Sequence, residues 1–368
     1  MKINNVLIST VLIITPLAVI AQQQMVDPIR TPSVQAGNDP NREAFVLSNC
    51  SNPAEPVGGS GGIRVIPGAG QPVIFENAPV EVIPGIIAAG QRWRRIWEGS
   101  GNNTDSPIAT DKGILMAMND LNQIIEIGLD GSVEVIATDT YTSGAMALTP
   151  DGTLYVGERA LNRGIWQVEP RRLFTNTMNG EPLECLGPGV LNDLVADQKG
   201  GMYMTMGGVY YANAAGVVSG RYGQVRGNGI AVSPDGNTLY VTGRLPGATP
   251  PANLALPAGA PEPTGGIVAF DIQPDGSLTN ERQFAWAGRD GMQVDTEGRI
   301  FTPDNGAWVI DPDNGEFLGY FPAPPGTHGL HFGGADKRSL FSITLGVQTA
   351  VYAIDMQAQG FQVGEWRK

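Results

Sequence analysis

Six polar residues recur at one phase of a repeated pattern: Asp105, Ser143, Asn192, Asn228, Asp290 and His328. They open the segments "DSPIATDKGILMAM", "SGAMALTPDGTLYVG", "NDLVADQKGGMYMT", "NGIAVSPDGNTLYVT", "DGMQVDTEGRIFT" and "HGLHFGGADKRSLFS". Taken singly, Asn, Asp and Ser are good turn formers, and four of the six are followed by Gly. Taken together they have a chemistry. Carboxylates brought close repel unless a cation lies between them, and two carboxylates with two amide oxygens form a hard-oxygen cage. Calcium suits such a cage, with magnesium, manganese or zinc as alternatives, although zinc prefers His or thiolate.

The elements that must position these residues are short strands. From Gln91 onward, runs such as "ILMAMND", "TLYVGER", "GMYMTMGGVYYA" and "TLYVTG" alternate between Gly, Asp, Asn and Pro turns, which indicates an all-β fold. The six starts are 38, 49, 36, 62 and 38 residues apart. In four copies the Gly of the next turn (113, 200, 236 and 298) lies eight residues after the start. One four-stranded unit repeated at this spacing predicts a six-bladed β-propeller, closed so that no sheet edge is left free. Each innermost strand then begins at the same end of the central channel, where the six side chains converge. The segment "RWRRIWEG" is expected as the outermost strand of the last blade, with the C-terminal "FQVGEWRK" competing for that place.

Two longer spacings mark insertions. One contains "MNGEPLECLGPG"; the other, "RLPGATPPANLALPAGAPEPTGG", is too rich in Pro to be a strand and belongs to a loop at the channel end that carries Asn228. Residues 22–90 are rich in Pro, Gly, Asn and Ala and read as a loosely ordered extension, with Pro72 to Phe75 a candidate short strand. No amphipathic helix of ordinary length is expected.

Residues 1–21 read as a signal peptide, with an apolar run from Val6 to Ile20 that is shorter than the ~20 residues needed to span a bilayer. The expected organisation is therefore 1–21 signal peptide, 22–90 extension and 91–368 propeller, in a periplasmic or secreted protein with no membrane association after cleavage. The formal net charge of −13, or −14 without Lys2, argues against nucleic-acid binding. Cys50 and Cys185 are the only cysteines, and an oxidising compartment permits a disulfide that ties the extension near Asn192. The sequons at Asn49 and Asn102 matter only in a glycosylating host.

The chain resembles the senescence marker protein/gluconolactonase family of six-bladed propellers over residues 91–355. The resemblance rests on "DSP", "NDLVADQKGGMYMT", "NGIAVSPDGNTLYVT", "DGMQVDTEGRIF" and "FGGADKRSLF". It implies one divalent metal, most simply Ca²⁺, held at Asp105, Asn192, Asn228 and Asp290, with Asp105 standing where the family has Glu. Glu98 is the rival first-blade ligand, although it lies 15 residues before Gly113. The resemblance also implies hydrolysis of a lactone or related cyclic ester, a small-molecule substrate, by a metal-activated water. Asp290 would double as general base, and His328 and Ser143 would face substrate. Asp193 is expected to point away or to support the site, and His331 to lie on the opposite face of its strand in a structural role. Trp97, Trp166, Trp286 and Trp308 read as packing residues. No Gly-x-Ser-x-Gly elbow is present. The other readings are a phosphotriesterase-like hydrolase using the same cage, and a non-catalytic ligand-binding propeller. Oligomeric state is not legible.

Overall fold

β-Branched and aromatic residues between Gly- and Asp-rich turns fold into six four-stranded antiparallel sheets. The structure is a computed structural model, and it describes residues 31–52, 75, 77–99, 104–187, 189–345 and 349–367. The expected signal peptide, the sequon at Asn102 and most of the candidate strand at 72–75 lie outside the described residues.

Blade 1 comprises Ile108–Ala109, Gly113–Met118, Gln123–Gly128 and Val133–Thr138. Blade 2 comprises Ser143–Leu148, Leu154–Glu158, Gly164–Gln167 and Arg172–Thr175. Blade 3 runs over Asp193–Ala196, Met202–Thr205, Val209–Ala212 and Val218–Tyr222, and blade 4 over Ile230–Val232, Thr238–Thr242, Ile267–Ile272 and Leu278–Ala285. Blade 5 is Gln293–Val294, Ile300–Pro303, Ala307–Ile310 and Phe317–Phe321. Blade 6 takes Thr327–Gly333, Ser339–Thr344 and Thr349–Asp355 from one end of the chain and Arg94–Gly99 from the other. The ring closes as "RWRRIWEG" led one to expect, with Arg94 opposite Ala353 and Gly99 opposite Thr349.

The core lies between blades. Tyr203, Leu239, Val241 and Phe270 pack blade 3 against blade 4, and Phe301, Leu330, Phe332 and Leu340 pack blade 5 against blade 6. Trp308 is fully buried against Phe317 and Tyr320, as a packing residue should be. Trp166 and Trp286 also carry a guanidinium each, from Arg171 and Arg244.

The C-terminal residues form no strand and cross the far end of the channel. There the Phe361 N–H donates to the Val294 carbonyl (3.0 Å), and the Gln362 side chain accepts from the Ala109 N–H (2.7 Å). They close a cavity of about 80 Å³ lined by first-strand residues of all six blades, among them Met146, Leu194, Ile230, Met292 and His331.

The extension contributes one short helix, Arg42–Asn49, where no helix of ordinary length was expected. Eight residues are too few to show a helical period, and it is held by Phe45 and Val46 packing on Leu161 of blade 2. Residues 77–93 also pack on the ring, through Val80, Ile86, Ile87 and Trp93. Cys50 and Cys185 form a disulfide, with Cα atoms 5.5 Å apart. The insertion around Cys185 contains a two-residue hairpin, Thr177–Met178 against Glu181–Pro182, turned by Asn179 and Gly180 at positive φ. Among the described residues no helix is long and apolar enough to cross a membrane.

Candidate metal centre

The strand starts meet because each blade is tied to the next at their level. The Asp105 N–H donates to the Gly144 carbonyl (2.8 Å), joining blades 1 and 2. Arg159, just after the second strand of blade 2, donates from Nε to the Leu191 carbonyl (2.8 Å) and from its terminal nitrogen to the Asn192 carbonyl (2.5 Å). The Ile230 N–H donates to the Asp193 carboxylate (3.0 Å), and the Thr205 hydroxyl to the Asn228 carbonyl (2.5 Å), joining blades 3 and 4. A Cβ on Gly229 would lie 2.2 Å from the Asp290 carbonyl, so glycine is what lets blades 4 and 5 approach. The Leu330 N–H donates to the Gly291 carbonyl (3.3 Å), and His328 Nε2 donates to the Thr104 carbonyl (2.9 Å), which returns the circle to blade 1.

Inside this circle the carboxyls feel one another. Burial pushes Asp290 well above the usual carboxylate range, with the charges of Asp105 and Asp193 adding to it. Asp193 is raised in the same way, first by burial and then by Asp105. The amide oxygens of Asn192 and Asn228 are buried and have no hydrogen-bond donor. Two orphaned acceptors beside carboxyls that resist ionisation are what a bound cation relieves, because it supplies the missing positive partner to all of them. The donors are neutral and anionic oxygens, which suits a hard divalent ion such as calcium. Among the described residues no three His, Cys, Asp or Glu side chains form a ligand group, so the amide oxygens are essential to any such site.

A cation is already built into one side of the circle. Arg159, 1% exposed, makes an ion pair with Asp105, 4% exposed. Removing one partner of so buried a pair typically costs about 3–5 kcal/mol. The carboxylate of Asp105 is thus held by the protein itself.

The family model described as the SMP-30/Gluconolactonase/LRE-like region matches residues 122–346. The chain belongs to this family. Comparison with the curated proteins finds no match. Among solved structures, a gluconolactonase from Xanthomonas campestris is 21% identical over 76% of this chain and 94% of its own, with a TM-score of 0.60. A calcium-binding regucalcin from Agrobacterium tumefaciens is 16% identical over 73% of this chain and 95% of its own, with a TM-score of 0.54. A luciferin-regenerating enzyme is 14% identical over 75% of this chain and 100% of its own, with a TM-score of 0.56. At these identities the likeness is one of fold.

Set against the family's expected ligand positions, Asp105, Asn192, Asn228 and Asp290 all stand at strand starts on one end of the ring. Glu98 does not: it lies on the outer edge strand of blade 6 and pairs with Arg95 (2.7 Å). Ser143 is fully buried and its hydroxyl donates to Thr140 (2.8 Å). His328 is buried beside Asp105, burial lowers its pKa and keeps the ring neutral, and Nε2 faces the Thr104 carbonyl. Of the two places expected for Asp193, the supporting one is found: it bridges blades 3 and 4 and feels the charge of Asp105. His331, expected to be turned away in a structural role, lines the channel cavity instead, and burial holds its pKa down to about 3. A bulge between Thr327 and Gly329 offsets that strand, which simple alternation could not foresee. Arg159 was missed altogether. The only trace in the sequence is Gly144, at which a Cβ would lie 2.1 Å from Arg159 Cζ.

The Pro-rich insertion stands at the same end of the ring. Its last residues, Thr264 and Gly265, donate from backbone N–H groups to Asp304 of blade 5 (2.8 and 2.7 Å), and Arg244 closes its base on the Gly265 carbonyl (2.6 Å).

Proposed function

We propose that this chain is an exported, metal-dependent hydrolase that opens a lactone or related cyclic ester at the channel mouth. The observation that carries the reading is the pair of buried, donorless amide oxygens on Asn192 and Asn228 at the end of the ring that carries Asp290. Asn192, Asn228 and Asp290 would hold the ion, with Asp105 the fourth candidate from the family pattern. When bound, a divalent ion polarises an ester carbonyl and lowers the pKa of water. Asp290 would accept the proton of the attacking water on its carboxylate, as a general base. His328 would face the substrate, and the apolar first strands below exclude bulk water.

Export is supported by the Cys50–Cys185 disulfide, which persists in oxidising compartments. It is checked by the mass of the mature chain recovered from the periplasm or medium, which should lack 21 residues at its start.

One observation favours a second reading, a ligand-binding propeller without turnover: Asp105 is already neutralised by Arg159. A panel of lactones and phosphotriesters, run with calcium, manganese or zinc, distinguishes the readings. Lactone turnover that falls with Asp290→Ala supports the proposal. Turnover confined to phosphotriesters would move the activity to phosphorus, and turnover of neither would leave the binding reading.

A further inference from the structure

We propose that Arg159 is a positioning residue that withdraws Asp105 from cation binding, so that the exchangeable ion is held by Asn192, Asn228 and Asp290 alone. This rests on the reading of the channel mouth as a cation site. The guanidinium contacts Asp105 and also bonds the carbonyls of Leu191 and Asn192, the two that flank the Asn192 peptide nitrogen and side chain. One side chain therefore fixes the backbone that carries an amide ligand and occupies the carboxylate that the family pattern offers as another.

The arrangement is built rather than incidental. Gly144 leaves the room that the guanidinium fills, since a Cβ there would lie 2.1–2.5 Å from its atoms. The Asp105 N–H is tied to the Gly144 carbonyl, which holds the acid beside the cradle. The Ala36 N–H of the extension donates to the Arg159 carbonyl (2.8 Å), and the extension is itself anchored by the helix on Leu161 and by the Cys50–Cys185 disulfide. Blades 1, 2 and 3 and the extension all contribute to one ion pair. Asp193 is committed too, accepting from the N–H groups of Leu194 (2.9 Å) and Ile230 (3.0 Å). Asp290 is left as the carboxylate that answers the ion.

The consequence is a site with one effective negative ligand, and hence lower affinity and charge than a two-carboxylate cage. Calcium affinity falls as ligand charge falls. Releasing Asp105 should therefore tighten binding, a direction that the loss of a purely structural residue would not produce.

The test is calcium titration by calorimetry on the purified mature protein, with thermal melts as the check on folding. Arg159→Gln should bind calcium about tenfold or more tightly, Asp105→Asn should lose no more than about tenfold, and Asp290→Asn should lose about a hundredfold or more. Equal losses for Asp105→Asn and Asp290→Asn would overturn the proposal, as would a folded Arg159→Gln that binds no tighter. If Arg159→Gln does not fold, the comparison of the two Asp variants decides. A wild-type protein that binds no calcium overturns this inference together with the metal reading, whereas unequal Asp variants and a tighter Arg159→Gln uphold it whatever the substrate proves to be.

Discussion

The two ends of the ring use the same residue types and treat them oppositely. At the far end three turn Asp residues are satisfied by their own turns. Asp151 accepts from Thr149 and Thr153, Asp235 from Ser233 and Asn237, and Asp130 from Ser132. These hydrogen bonds hold all three carboxyls below their ordinary pKa. At the mouth, Asn192 and Asn228 keep buried oxygens without donors, and Asp193 and Asp290 are pushed up. Stability explains the first arrangement, because these carboxyls are paired. The second is costly by itself, since an unmet buried acceptor costs about 1–3 kcal/mol. A site that holds a ligand explains why it is kept.

The largest effect should come from breaking the mouth directly. Asp290→Asn is expected to lower lactone hydrolysis about a hundredfold or more in an initial-rate assay, with the melting curve unchanged or raised, because a strained carboxyl has been removed. An equal loss from Asp235→Asn would erase the distinction between the ends.

Next comes the disulfide that ties the extension to the insertion between blades 2 and 3. Replacing Cys50 and Cys185 by Ser, or reducing the disulfide, should cost about 2–4 kcal/mol in denaturant unfolding, because the bond closes a long loop. The ring sheets should survive in far-ultraviolet circular dichroism.

A smaller effect separates the ends by pH. Asp193 and Asp290 are raised in the folded chain, so the stability they contribute is complete below the unfolded carboxylate pKa of about 4 and is lost as pH rises through their folded values. The metal-free protein should therefore melt lower at about pH 8 than at about pH 5, and calcium should raise the melting temperature more at the higher pH. The turn carboxyls, lowered in the folded state, act in the other sense: their contribution is present above the unfolded pKa and fades only as pH falls into the acid range.

The smallest effect is expected at the far end. Asp235→Ala should cost about 1 kcal/mol from the lost turn bonds and leave both hydrolysis and calcium binding unchanged.

The ring was legible because strand period and turn chemistry act locally. Asp105, Asn192, Asn228 and Asp290 share a phase with Gly113, Gly200, Gly236 and Gly298, and a phase survives translation into a fold. Closure by Arg94–Gly99 was legible for the same reason, as alternation left over before the first repeat. Arg159 was not, since it sits 54 residues from Asp105 in a loop between strands, outside the repeated strand-start phase. Nor was the C-terminal closure of the channel, where Phe361 and Gln362 bond by backbone and amide groups to blades 5 and 1 without any strand pattern. The place of His331 depended on a bulge, and one inserted residue inverts every alternation after it.

The most direct test of the account is hydrolysis of a simple lactone by the mature protein before chelation, after chelation, and after adding back calcium. Activity that disappears with the chelator and returns with one equivalent of ion per chain is the expected result. Activity that persists unchanged through chelation, and in Asp290→Asn, would contradict it.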